Sequence, residues 1–292
     1  MPKLGASCKI TLLGIAMVTL ASSVEVRMGK GEFSASASMA KFWEFEASSD
    51  VDVLSVSIPR YNIATHYYLF GSLDIYSSKR IEWLSGFADW AMETNLPFFP
   101  SLTPNSLLSN FVPVPSSYEV EGIDANIGVA KDVVTKPQYR LGVGVLTGFS
   151  TPFIKMQNYL DALSFYSDIL EYSDTQIKTY KAGMLLEGVF RPHREWNIFA
   201  KAIYAYQRGD IRNAMVLGAM KSAGSYGAFE AGVRYTPSAL NNFYISAGYQ
   251  HKNWQLDSVE VEINPFPSVE LSTPLGVEFS SHNSYISIGY RF

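Results

Sequence analysis

Cysteine occurs once in 292 residues, at Cys8, so disulfides contribute nothing to the fold. Charged residues are scarce too, at 17% against roughly 25% in ordinary globular chains. The formal charge of −4 leaves no basic footprint, which argues against nucleic acid as a partner. No stretch holds 18 uninterrupted apolar residues after the first two dozen positions, so no later segment reads as a membrane-spanning helix. Two features are abundant instead. Aromatics reach 14% of the chain, and apolar residues recur at every second position.

The N-terminus has the layout of a secretory leader. Lys3 and Lys9 supply its positive region and Ile10 to Ala21 its apolar core. Ala21-Ser22-Ser23 offers small residues for cleavage before Val24. An apolar run of about a dozen residues is too short to cross a bilayer as a helix, which takes roughly 20. Cys8 precedes the apolar run, where lipid attachment at a cleavage point would not place it. We therefore expect residues 1–23 to be removed and residues 24–292 to form one unit. Cleavage takes away Lys3 and Lys9 and no acid, which moves the formal charge from −4 to −6.

Segments of about ten residues alternate strictly, which is the length a tilted strand needs to cross a bilayer. In the last segment Ile286, Ile288, Tyr290 and Phe292 alternate with Tyr285, Ser287, Gly289 and Arg291. The same rhythm starts at Phe243, Phe229, Trp196, Tyr180, Tyr139 and Ile123. Earlier strands are expected over Phe33–Met39, Asp52–Ile58 and Tyr61–Tyr76. Phe33, Ala35, Ala37 and Met39 alternate there with serines and Glu32, whereas Tyr61–Tyr76 is apolar on both faces. Only helices and closed barrels satisfy every backbone group in lipid, so alternating strands in a membrane require a barrel.

The connections alternate in length. Counting from the C-terminus they fall near 255–280, 236–241, 209–223, 191–194, 150–175, 132–138, 78–118 and Pro59-Arg60, long or medium then short throughout. That pattern predicts an all-β, up-and-down antiparallel transmembrane barrel of ten strands, with both termini on the short-turn side. Tyr61, Tyr139, Phe190, Trp196, Tyr235 and Phe243 all fall on the apolar face near a short turn, as an interfacial aromatic girdle would. Helical spacing within Lys79–Asn95 (Trp83, Phe87, Trp90) and Met156–Tyr172 predicts short helices in two of the long loops.

The terminal hexapeptide Ser287-Ile288-Gly289-Tyr290-Arg291-Phe292 resembles the C-terminal β-signal of bacterial outer-membrane barrel proteins. The resemblance implies that the barrel-assembly machinery reads Ser287, Gly289, Tyr290 and Phe292, and that the chain resides among outer-membrane lipids. It identifies the class and no particular member.

Strand phase sends Asp74, Asp124, Arg140, Lys181, Glu187, Lys201, Glu230, Arg234, Lys252 and Arg291 inward. Ten strands lie near the width that side chains fill, and opposite charges in so narrow a space are expected to pair. The first expectation is therefore a plugged or weakly conducting, small porin-like or structural barrel. The second is a barrel that binds a surface ligand through its long outer loops. An outer-membrane protease or lipid-modifying enzyme comes third, because no nucleophile motif or phosphate loop stands out. His193 is expected in a short turn, His66 inward at mid-strand, and His251 and His282 outward at the upper rim. Two histidines are too few for a metal site, and no metal or cofactor is expected.

Overall fold

Strand alternation closes into a barrel. A computed structural model of the protein describes residues 23–39, 43–78, 81–83, 116–158, 175–213, 219–239, 242–261 and 275–291. The strands are β1 (Ser23–Met39), β2 (Trp43–Ala64), β3 (Tyr67–Ser78), β4 (Ile81–Trp83), β5 (Ser116–Thr135) and β6 (Tyr139–Ser150). They continue with β7 (Phe153–Asn158), β8 (Thr175–His193), β9 (Trp196–Asn213), β10 (Ala219–Tyr235), β11 (Phe243–Val261) and β12 (Leu275–Arg291). All pairings are antiparallel, and β1 pairs with β12 to close the sheet. β3 and β4 pair in succession with β5, as do β6 and β7, so each pair forms one stave. The twelve strands thus make the ten staves expected.

The outward face carries an apolar band. Val26, Met28, Leu54, Ile127, Val145, Met184, Leu186, Ile198, Ile245, Ile286 and Ile288 are exposed on it. At the end that bears the tight turns the band is edged by Tyr139, Phe190, Trp196 and Phe243, all exposed. Tyr61, Tyr235 and Tyr290 are half-buried at the same level. Trp196 packs against Tyr235 at 4.7 Å with the rings tilted by 36°, and Phe243 meets Tyr290 edge-on at 4.8 Å. The band's other edge carries the exposed Tyr180, Tyr206 and Tyr249. Ten residues separate Phe190 from Tyr180; at roughly 3.3 Å per residue and a tilt near 40° they span about 25 Å. Beyond them the outward positions turn polar at Lys178 and Arg208.

Staves of this kind run well past the roughly ten residues a bilayer needs; β9, for example, has 18. Past the apolar band, polarity inverts: the outside becomes polar, while Val51, Val120, Ile177, Ile211, Leu256, Val277 and Phe279 fill the inside. This inversion corrects the reading of the first strand. Odd positions of β1 from Glu25 to Ala35 face inward, charged at Glu25 and Arg27 and apolar at Phe33 and Ala35, while Val26 and Met28 face out. Phe33 and Ala35 are therefore core residues of the barrel's upper part and do not touch lipid; the side chains of Ala37 and Met39 lie outside the described residues.

Two further expectations are corrected. Pro59-Arg60 is no turn: β2 runs through it with register shifts between Ile58 and Tyr61 and between Asn62 and Ala64. A bulge is where a strand tolerates proline, which cannot donate to the ladder. The turn comes at Thr65-His66, where His66 adopts φ 67°, so His66 is exposed at the turn end and not inward at mid-strand. Ile81–Trp83 and Met156–Asn158 are strand, because the long β5 offers an edge for them to pair with. The remainder of both expected loop helices lies outside the described residues, as do residues 1–22 of the expected leader.

Aromatic side chains lie over glycines on the adjacent strand. A Cβ at Gly289 would collide with the Tyr244 ring, and one at Gly122 with Tyr76; each pair is in direct register. These rings lean across the backbone into the lumen, a packing that helps pin register.

Candidate functional site: the lumen

All ten charges assigned inward by strand phase are inward. They do not form one network but separate tiers along the barrel axis.

The upper tier is buried. Asp124 accepts hydrogen bonds from Lys181, Ser150, Lys252 at 2.8 Å, Tyr226 at 3.2 Å and Asn126 at 3.2 Å. Lys252 also pairs with Asp74. Lys181 donates to Ser150 at 3.1 Å and lies 3.6 Å from the centre of the Tyr226 ring. Trp254 donates to Ser150 at 2.9 Å. The four charges cancel, as burial demands.

Above this tier is an aromatic layer. Phe33 stacks on Tyr76 at 5.4 Å and packs against Trp254 at 6.3 Å and Phe279 at 6.0 Å; Trp254 meets Tyr226 at 5.6 Å. All five rings are buried. The described lumen is therefore filled at the loop end by an apolar core resting on a neutral ion cluster.

Toward the turn end lie two more clusters. In one, Arg27 joins Glu25 at 3.1 Å to Glu230 at 2.8 Å, and Arg234 reaches Glu25 at 2.8 Å. Tyr244 donates to Glu25 at 3.2 Å and Tyr285 to Glu230 at 2.6 Å. In the other, Asp132 accepts from Arg60 at 3.0 Å and lies 3.4 Å from Arg140, which also holds Glu187 at 3.1 Å. Arg60 covers the Tyr68 ring at 4.0 Å. These clusters border a cavity of about 380 Å³, whose wall also includes Pro59, Asn62, Arg191 and Arg291 near the turn end.

Five of these charges are missing from the sequence assignment. Glu25 and Arg27 escape it because the first strand is expected only over Phe33–Met39, which leaves them unassigned; the run Val24-Glu25-Val26-Arg27-Met28 carries the correct phase openly. Arg60, Asp132 and Arg191 fall in segments assigned to short turns. The bulged β2 and the long β5 and β8 return them to the barrel wall.

The histidines converge on no site. His193 ends β8 beside a tight turn. His251 and His282 are direct cross-strand partners on the outward face, and His282 lies 3.7 Å from Glu32. Among the described residues no group of three or more His, Cys, Asp or Glu is placed to hold a metal ion.

No family model matches the chain, and no curated protein matches it in sequence. Solved structures of similar shape include the outer-membrane protease OmpT of Escherichia coli, at 10% identity and TM-score 0.43, over 92% of this chain and 97% of that one. The translocator domain of autotransporter NalP from Neisseria meningitidis matches at 9% identity and TM-score 0.35 over 100% of both chains. The Pseudomonas putida toluene transporter TodX matches at 11% and 0.34, over 99% of this chain and 94% of that one. At such identities and scores these likenesses carry no argument about activity or ligand.

Proposed function

We propose that this chain is a bacterial outer-membrane barrel that conducts no solute, its lumen shut on the loop side. The observation that carries the reading is the buried stack of Phe33, Tyr76, Trp254 and Phe279. It rests on the neutral cluster of Asp74, Asp124, Lys181 and Lys252. A hydrated ion would have to part the rings and then break charge pairs already satisfied in a dry setting, both costly. Membrane residence is supported by the outward apolar band of about 25 Å, edged by aromatic rings, because water would leave that surface uncompensated.

Residues 1–23 serve as the export leader, and Ser287, Gly289, Tyr290 and Phe292 are read by the assembly machinery. With the lumen shut, the chain acts as a membrane-anchored scaffold, and contact with a surface ligand falls to the connections of 84–115 and 159–174.

Planar-bilayer recording tests the closed lumen. The refolded barrel is expected to be silent, and a variant carrying Phe33→Ala, Trp254→Ala and Lys252→Ala to produce discrete steps. Steps of uniform size from the unaltered barrel would refute the proposal.

A further inference from the structure

The two halves of the lumen are charged differently. The upper tier is neutral. Around the cavity at the turn end stand seven cations. Four of them, Arg27, Arg60, Arg140 and Arg234, are matched by four carboxylates, Glu25, Glu230, Asp132 and Glu187. The remaining three are Arg191, Lys201 and Arg291, and no carboxylate among the described residues lies within ion-pair distance of them. Lys201 is half-buried over the Phe70 ring at 5.2 Å. Arg191 and Arg291 line the same cavity as Arg60, Arg140 and Arg234. Arg191 and Arg291 are exposed at the turn end, and Lys201 stands opposite Glu187 and Glu230 on the neighbouring strands. With seven cations against four carboxylates, three positive charges are in excess around the cavity, in a chain whose net charge is −4.

Such an arrangement concentrates anions, because low-dielectric walls focus the field of uncompensated charge into the opening. The donors are also held in place. Arg234 lies over Tyr244 at 4.3 Å and over Phe199 at 5.4 Å, and Arg291 over Tyr244 at 5.5 Å. Stacked guanidinium groups keep their planar forks oriented, and that geometry matches carboxylate and phosphate oxygens. A cavity of about 380 Å³ falls at the small end of ligand pockets.

We propose that this turn-end cavity is a blind binding site for a small, soluble, multivalent anion bearing phosphate or carboxylate groups, entering from the side of the barrel that carries the termini. Lipid headgroups are poor candidates, since strands wall the cavity on all sides and an acyl chain would have to lie among arginines. The inference extends the proposed function and does not depend on the lumen being closed above.

The test is calorimetric titration of the refolded full-length barrel with inorganic pyrophosphate and with citrate, at low and at high salt. At least one of the two is expected to bind saturably, one per barrel, with affinity that weakens as salt rises. Lys201→Gln and Arg191→Gln should each weaken binding about tenfold or more, because each removes an unpaired charge within reach of the ligand. Neither orphans a carboxylate, so both should fold, as heat-modifiable migration on gels reports. Lys178→Gln, on the outward face, should leave binding unchanged. Absence of saturable binding of both anions in folded barrel, or equal weakening by all three substitutions, would overturn the proposal. A barrel that binds and also conducts would refute the closed lumen alone, and a silent barrel that binds neither anion would refute the anion site alone.

Discussion

Asp124→Asn removes one charge from the middle of the plug and changes its shape very little. Asp124 and Lys181 are both fully buried side chains. Lys252 would keep Asp74 as a partner, whereas Lys181 would lose its paired charge and keep neutral partners alone: the amide oxygen introduced at position 124, the Ser150 hydroxyl and the face of Tyr226. Breaking a buried pair while stranding the other charge costs about 3–5 kcal/mol, and this geometry gives Lys181 no route to water. Replacing both partners should be far milder. Asp124→Asn combined with Lys181→Met strands no charge and forfeits mainly the cation–π contact, about 2 kcal/mol at most. Urea unfolding at fixed detergent, followed by tryptophan fluorescence, measures both. The single variant should lose about 3–5 kcal/mol and the double variant should recover about 2 kcal/mol of that. A single-variant loss below about 1 kcal/mol, or a double variant no more stable than the single, would refute the claim that the plug is a dry, charge-balanced cluster.

Other outcomes follow from particular residues. Gly289→Ala should impair folding by forcing the Tyr244 ring aside. Adding Tyr244→Ala should restore heat-modifiable barrel in vitro, and failure to restore it would mean that Gly289 matters for recognition alone. Deleting Phe292 should reduce outer-membrane insertion in cells and leave export across the inner membrane intact; normal insertion would refute the assembly role. In the turn after β8, hydrogen bonds from Ser238 hold the Glu195 carboxyl below its usual value of 4.5. A depressed folded-state pKa gives a contribution present above that usual value and lost as pH falls through the lower one. Glu195→Gln should therefore flatten the acid side of the stability curve below pH 4.5, and an unchanged curve would refute that link.

Much of the barrel was legible because a wall with an apolar outside and a charged inside imposes a two-residue rhythm on every strand. From Ile123 onward the assigned faces, the tight turns and the aromatic edge agree with the structure, since each strand there begins or ends at a tight turn next to the apolar band. The misreading of the first strand has a single cause. Alternation reports which residues lie on the same side of a strand but not what that side touches, and here the inside is charged at the level of the outer apolar band and apolar above it. Phe33 and Glu25 therefore lie on one face while reading as opposites. The aromatic layer was invisible for a related reason: Tyr226 and Trp254 are cross-strand partners on β10 and β11, but Phe33 and Tyr76 come from β1 and β3, and only the β1–β12 closure brings the two pairs together. The pairing of the lumen charges was equally beyond the sequence, because it depends on the stagger between strands. Arg60 was lost to a bulge that looks like a proline turn.

The central claim is that the outer face of the barrel touches lipid while its upper interior is dry. Trp196 and Trp254 test both parts at once, being 44% and 2% exposed on the outer face and in the plug respectively. Variants retaining one of these two tryptophans, with the others changed to phenylalanine, can be reconstituted into bilayers and challenged with brominated lipid and with aqueous iodide. Trp196 should be quenched by brominated lipid, and Trp254 by neither agent. Iodide quenching of Trp254 together with a Trp196 indifferent to the lipid would contradict the account.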